Sequence, residues 1–461
     1  MTTDIRYGIR LAIIYSLVWF IDLLDASSLN VSAPEIAQFF GVMATNAEWV
    51  IVGFLLTMSI GISISGWLGE RFGTRKIFIL SQITYLLSSL GCGLSFSLTS
   101  LIAMRMLQGF AAGMAIPIGM AALMRALPKP MWAKTNACMN LVTLIAPAIG
   151  PLFGAYVTNW LNWQWIFFLK IPISLICLVL SLSWVQPERG NAQKPFDWTG
   201  FILCSASLIG ILWALSEVGR MPNYTIALIL LSSCACALLF ILWEGRTPTP
   251  LIPLNLFKIP SFSYGNIIQS AANTIFLGAN FLIALYLQNG LGHDLITTGW
   301  IMAAITPGMM CVQPIVGRLY NTLGPLPFII PGLMLLCFST WGFAMTDSQT
   351  PTYLLGILVF AIGASSSIIQ SANVASIFSQ LPQEYKRSGS SIYSLFKQLS
   401  ASFGVALSTF ILSAGTDIYS INSEIPPPEI FHYCFIILGI IPALALFCCP
   451  YLQQQQELRQ N

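Results

Sequence analysis

The sequence predicts an all-α polytopic membrane protein with fourteen transmembrane helices, and three observations carry that reading. Of 461 residues, 56% are hydrophobic and 8% charged, and the mean hydropathy is +0.77; so many apolar residues exceed what one soluble core can hide. They fall in runs near the roughly 20 residues a helix needs to cross the hydrocarbon layer. The period-2 alternation of a barrel strand is absent, and the need to satisfy backbone polar groups in lipid leaves helices as the solution.

In chain order the apolar runs place spans near 10–32, 47–68, 77–96, 99–123, 135–158, 164–185, 198–217, 223–243, 262–289, 297–319, 327–346, 352–376, 389–413 and 430–450. Asp22 and Asp25 interrupt the first run and no small-residue cleavage site follows, so it reads as a retained span rather than a signal peptide. An even number of spans puts both termini on one side. Of the twenty Lys and Arg, three (Arg105, Lys170 and Lys397) lie inside apolar runs, Arg220 stands alone in an opposite-side loop, and the rest fall on the terminus side. Positive-inside bias then predicts cytoplasmic termini. Polar segments at 186–195 and 244–260 divide the chain into an N-terminal six-helix bundle over 1–190, an inserted helix pair with linkers over 191–245, and a C-terminal six-helix bundle with a short tail over 246–461.

Several functions are disfavoured by composition. The formal charge of +3 is spread over separate loops, so no nucleic-acid partner is expected. The eleven cysteines lie in or at the edges of apolar runs and read as small hydrophobes, not a disulfide framework. His293 and His432 are far apart and no Cys or His cluster has metal-site spacing, so neither metal nor cofactor is expected. An embedded enzyme needs a nucleophile with a base, and neither histidine has a partner in sequence; a sensor would carry a cytoplasmic domain, and the tail after Pro450 is only YLQQQQELRQN.

Charge inside the membrane marks the candidate site, because an ionised group there costs several kcal/mol (roughly 2.5–3.5 on insertion scales) unless paired or wet. Asp22 and Asp25 sit three apart on one face of the first span. At 1.5 Å per residue from the external ends, Arg105 lies about 10 Å deep, Asp25 about 9 Å and Asp22 about 14 Å, so Asp25 is the better partner for Arg105. A structural ion pair is the competing account of both acids. Lys170, about one and a half turns from the external end of its span, is expected to snorkel to the interface. Lys397 lies roughly 13 Å from the cytoplasmic end of the thirteenth span, too deep for that, and is expected to face a cavity or pair.

The stretch Gly66–Lys76, GWLGERFGTRK, turns the chain between the second and third spans. Gly66 permits close helix approach, Gly73 a φ > 0 turn, and Arg71, Arg75 and Lys76 hold the loop at a headgroup surface. Glu70 is placed to face the positive N-terminal end of the thirteenth span, which follows Lys386 and Arg387, as a latch on the cytoplasmic side. Gly150 and Gly154 give the fifth span a small-xxx-small packing face, and Pro147 and Pro151 bend it.

With these residues in view, the chain resembles the major facilitator superfamily. Gly66, Leu68, Arg71, Gly73 and Lys76 match its G-x-L-x-D-R-x-G-R-K loop, with Glu70 where Asp is usual; Arg105, Gln108 and Gly109 match R-x-x-Q-G; Pro147 to Gly154 resembles the G-P-x-x-G antiporter motif. Asp25, Asn30 and Pro34 match the first-span L-D-x-T-x-x-N-x-x-x-P pattern of the 14-span drug:proton antiporter branch, with Ser28 in place of a hydrophobic residue. In the stretch after the fifth span, Gln164 and Lys170 replace the branch's usual Arg and Asn, and Gly317–Asn321 repeats the loop motif without its acid. The resemblance implies the major facilitator fold and proton-coupled export of small amphipathic compounds. Asp25, Asp22 and Arg105 would serve proton coupling, and Asn30, Gln108 and Lys397 would face the cavity. Export of an anionic metabolite such as a carboxylate siderophore is the alternative, since Arg105 and Lys397 are basic and no acid lies deep in the second bundle. A periplasmic adaptor is not shown by the sequence.

Overall fold

Seventeen of the described segments are α-helical, and the charges and glycines of the chain decide how they dock. The computed structural model describes residues 2–42, 49–143, 145–188, 190–191, 195–217, 221–248, 250–293, 295–418 and 428–450. The helices are α1 (Thr2–Phe40), α2 (Trp49–Phe72), α3 (Thr74–Gly93), α4 (Leu98–Ala126), α5 (Trp132–Thr143), α6 (Ile145–Trp160), α7 (Trp165–Phe168), α8 (Ile171–Trp184), α9 (Trp198–Ser216), α10 (Asn223–Glu244), α11 (Pro260–Leu285), α12 (Leu295–Ala303), α13 (Ile305–Leu323), α14 (Leu326–Phe343), α15 (Thr352–Ser379), α16 (Lys386–Ile418) and α17 (Pro428–Ala445).

Twelve described helical stretches are long and apolar enough to cross a membrane. The two expected spans outside that set have visible reasons. α3 carries Arg75, Lys76, Ser81, Gln82, Ser88 and Ser89, which dilute its hydropathy, and the expected fifth span holds α5 and α6, between which residue 144 lies outside the described residues. The expected sixth span likewise contains α7 and α8, with Lys170 as the residue that opens α8.

Glycine sets the closest approaches. α2 and α4 meet where a Cβ on Gly109 would overlap the Phe54 carbonyl and one on Gly113 the Met58 carbonyl, so the two backbones touch as only small residues allow. Gly73 between α2 and α3 has φ 89°, the left-handed region, as its place in the loop required. The inserted pair α9 and α10 packs on itself and lays α9 against α2 and α16. Asp197 caps α9 by accepting from Gly200 N (2.9 Å) and from Trp243 Nε1 (2.9 Å) of α10.

One apolar core joins the two bundles on the terminus side, where Leu123, Met124 and Trp132 pack with Phe378, Leu381 and Ile392. Polar contacts follow it there. Ser65 Oγ and Ser391 Oγ are 2.8 Å apart, Lys386 Nζ donates to the Met124 carbonyl (2.9 Å), Ser390 Oγ to the Pro117 carbonyl (2.8 Å), and Asn140 Nδ2 to Ser371 Oγ (3.0 Å). The opposite end of the N-terminal bundle has a core of its own, including Leu29, Ile36, Val50, Leu101, Trp163 and Phe167, to which no described residue of the C-terminal bundle belongs. The molecule is closed on the side of its termini.

Candidate functional site

Asp25 is the centre of the site. It projects from α1 with its side chain fully buried, and both carboxylate oxygens are taken. Arg105 Nη1 of α4 lies 2.5 Å from Oδ2, and Lys170 Nζ pairs with Oδ1. The guanidinium is held in place by donating from Nε to the Val50 carbonyl (3.0 Å) and from Nη1 to Gln108 Oε1 (2.6 Å), and it lies over the Phe54 ring at 4.2 Å. Lys170 lies over Phe167 at 4.6 Å. The aromatic faces add cation–π attraction to a pair already removed from water.

The snorkelling expected of Lys170 is therefore corrected: its side chain has no exposed surface and turns inward. Reaching the interface would leave Asp25 with one cation and give up an attraction that low dielectric strengthens. The signal was present in the sequence, since Lys170, Arg105 and Asp25 share one depth; what was absent was the direction in which Lys170 leaves its helix.

Asp22 lies one turn further toward the terminus side, 9% exposed, with Oδ1 lacking any hydrogen-bond partner. It lines a small cavity with Val18, Gln82, Tyr85, Ala112 and Ser174. Lys397 of α16 is half-buried and its ammonium lies 4.5 Å from the centre of the Trp19 ring, so α1 and α16 meet at this depth through a cation–π contact. Its carbonyl accepts from Asn273 Nδ2 of α11 (2.9 Å). Gln108 reaches the site through Arg105, with its own Nε2 left unpartnered. The side chains of Asn30, Pro34, Pro147 and Pro151 lie outside the described residues. Gly150 and Gly154 of α6 pack on α1 so closely that a Cβ would overlap Ser27 Oγ and the Ser28 carbonyl.

At the terminus side, Glu70 does meet the start of α16: Ser388 Oγ donates to its Oε1 at 3.3 Å, and its carbonyl accepts from Asn191 N (2.8 Å). Gly66 lies against Ser388 and Ser391. Arg71 stacks 5.1 Å from the Trp67 ring centre, Arg75 Nη2 donates to the Leu182 carbonyl (2.6 Å), and Lys76 is exposed. A charged contact here involves a residue the sequence reading passed over. Glu188, in the linker after α8, accepts from Arg125 Nη1 (2.8 Å) of α4, from Thr74 Oγ1 (2.7 Å), and pairs with Arg387 of α16. Burial alone would push the Glu188 carboxyl up, but the Thr74 hydroxyl and the Arg125 and Arg387 guanidinium groups hold it at about 2. The linker sits tightly on the loop, for a Cβ on Gly73 would overlap the Glu188 carbonyl. An acid in QPERG reads as an ordinary solvated linker residue until α4 and α16 are seen to end beside it.

The Major Facilitator Superfamily model matches residues 15–404 and 265–459. The chain is 28% identical to the "Probable transport protein HsrA" of Haemophilus influenzae, covering 95% of this chain and 94% of that one. It is 29% identical to the "Putative multidrug resistance protein MdtD" of Salmonella heidelberg (94% and 92% covered), and 28% identical to the "Multidrug export protein EmrB" of Haemophilus influenzae (87% and 80%). Among solved structures it is similar in fold to the human organic anion transporter MFSD10, with TM-score 0.66 and 13% identity over 96% of this chain and 99% of that one. The proton:xylose symporter XylE gives TM-score 0.64 at 12% identity, over 96% and 95%. The chain belongs to the Major Facilitator Superfamily.

Proposed function

We propose that this transporter exports small amphipathic compounds in exchange for protons across a bacterial inner membrane, with both termini in the cytoplasm. The observation that carries the reading is the buried group of Asp22, Asp25, Arg105 and Lys170 on α1, α4 and the start of α8, together with closure on the terminus side. Ionised carboxylates at this depth are costly to keep, so their retention is best explained by work on a charge. The similarity to the putative multidrug resistance protein MdtD and the multidrug export protein EmrB agrees with a drug-type substrate.

In this reading the closed terminus side corresponds to an outward-open transporter. The N-terminal bundle (1–190) rocks against the C-terminal bundle (246–461) with the pair in 191–245 alongside, and the Gly66–Lys76 loop with Glu188 holds the cytoplasmic side shut until the bundles part. Gly150 and Gly154 seal α6 against α1, so that protons do not leak past the acids. One specific observation favours a second reading. Arg105, Lys170 and Lys397 set three cations against the two carboxylates of α1, a balance that suits an anionic metabolite.

Purified protein in proteoliposomes with an imposed pH gradient tests both. A fluorescent lipophilic cation should accumulate in wild-type vesicles only when the gradient is present, and Asp25→Asn and Asp22→Asn should abolish that accumulation. Gradient-driven movement of an organic carboxylate but not of the cation would favour the second reading. Transport indifferent to the gradient would end the proton-coupled one.

A further inference from the structure

Asp22 and Asp25 stand one helical turn apart and face different surroundings. Asp25 has no vacant oxygen: Lys170 holds Oδ1, Arg105 holds Oδ2, and all three side chains are at most 1% exposed. A proton arriving at Asp25 would have to displace one cation and leave both without their counter-charge in a dry site, which general energetics strongly disfavours. Asp22 lacks any such clamp. Its Oδ1 is buried and unpartnered, and it lines a cavity where three more buried oxygens are also unpartnered: Gln82 Oε1, Tyr85 Oη and Ser174 Oγ.

Four orphaned oxygens around one hollow are unusual, because buried polar atoms are nearly always satisfied by protein or by ordered water. The centre of a water molecule can move through about 30 Å³ of this space, room for one or two waters. The set is chemically mixed in the way water requires. Asp22 and Gln82 can only accept through these atoms, whereas the Tyr85 and Ser174 hydroxyls both donate and accept. Every lining residue comes from α1, α3, α4 or α8, so the hollow lies wholly inside the N-terminal bundle.

We propose that this hollow is a water-filled proton site in which Asp22 carries the transported proton while Asp25, locked between Arg105 and Lys170, is a fixed counter-charge. The inference rests on the proton-coupled reading above and deepens it. In the loading step a hydronium ion in the hollow gives one proton to Asp22 Oδ1; an O–H bond forms there, one breaks on the hydronium, and a neutral water remains. The charged and titratable groups facing Asp22 are Asp25 on its own helix, Tyr15 a further two turns back, Arg105 on α4, Lys170 before α8, Tyr85 on α3, Cys177 on α8 and Lys397 on α16. Moving Lys397 with the C-terminal bundle changes the charge that faces Asp22 when the bundles rock.

The test is an infrared titration of the carboxylic C=O band of the full-length protein in lipid nanodiscs, with protons as the only ligand. The wild type should show a buried carboxyl band that appears as pH falls and shifts on transfer to D₂O, and Asp22→Asn should remove it. Asp25→Asn should keep it; should that variant fail to fold, Tyr85→Phe with Ser174→Ala, which leaves both acids in place, should move the band midpoint by about one pH unit. A band that persists in Asp22→Asn overturns the assignment of the proton to Asp22. A midpoint unmoved in the double variant, or a band that does not exchange in D₂O, overturns the water-filled hollow. Wild-type vesicles that show no gradient-driven transport would end the coupling reading without touching this band, so the two failures are distinguishable.

Discussion

Two clusters in this molecule share one composition, a single carboxylate between two cations, and differ in where they stand. Asp25 lies between Arg105 and Lys170 with every side chain at most 1% exposed. Glu188 lies between Arg125 and Arg387 with 39% of its side chain exposed. The first cluster is confined to the N-terminal bundle, whereas the second ties the linker and α4 to α16 of the other bundle. Burial decides what each can do. In the interior, removal of one partner leaves a charge that neither water nor salt relieves, typically about 3–5 kcal/mol. At the surface water relieves it, and an exposed pair contributes roughly 0–1 kcal/mol. A contact of the first kind is a fixed part of the scaffold. One of the second kind can be broken and remade in every transport cycle.

The largest effect expected from this contrast is on stability. Arg105→Ala, and to a similar degree Lys170→Met, should destabilise the folded protein by about 3–5 kcal/mol, read as a lower thermal unfolding temperature in detergent and poor recovery from membranes. Arg105→Lys should restore part of the loss, because it keeps the charge while losing the fork whose Nη1 reaches Asp25 and Gln108 and whose Nε reaches the Val50 carbonyl. An Arg105→Ala protein as stable as the wild type would mean that the buried cluster is not what holds α1 to α4.

How much of this was legible beforehand follows from which residues needed the third dimension. The spans could be read because hydropathy is a property of consecutive residues, and the pairing of Asp25 with Arg105 because depth along two helices can be counted. Lys170 was misread although its depth was known, since snorkelling and pairing differ only in the azimuth at which the side chain leaves the helix. Glu188 was missed because its partners come from α4 and α16, more than 60 and nearly 200 residues away, and nothing local announces their convergence. The hollow beside Asp22 was invisible for the same reason, since four helices must pack before it exists.

A middle-sized effect belongs to the surface cluster. Glu188→Gln should loosen terminus-side closure by about 1 kcal/mol after allowance for screening, shifting the closed-to-open ratio about fivefold. A cysteine pair across the terminus-side ends of α4 and α16, in a background lacking the native thiols, reports it as reduced cross-linking. Salt near 1 M, where the Debye length is about 3 Å, should mimic the substitution and leave the Asp25 cluster's stability unchanged. The sign of the pH dependence follows from a carboxyl held at about 2, below its ordinary 4.5. Its contribution is fully present above the ordinary value and is lost as pH falls through 4.5 toward 2. Cross-linking should therefore be flat from neutral pH down to about 5 on account of Glu188, and fall only below that. A latch that released between pH 8 and 6 in the wild type but not in Glu188→Gln would contradict this assignment.

The smallest effect should come from Glu70, although the loop motif draws attention to it first. The neutral Ser388 hydroxyl of α16 donates to it at a long 3.3 Å, whereas Glu188 engages two guanidinium groups, one of them Arg387 of α16. Glutamine at position 70 retains an oxygen that can accept from Ser388, so toward α16 Glu70→Gln removes the attraction between a carboxylate and the positive helix end, which is typically 0.3–1 kcal/mol and weakened by salt. The expected change in cross-linking is about twofold, smaller than that of Glu188→Gln and in the same direction. Since Glu70 and Glu188 both hold the first two turns of α16, through Ser388 and Arg387, their effects should fall short of additive in the double variant, because whichever is removed first already lets the helix end move. Equal cross-linking in Glu70→Gln and wild type would leave Glu188 as the acidic latch, and a Glu70→Gln effect larger than that of Glu188→Gln would reverse the ranking that the charge of the α16 contacts predicts.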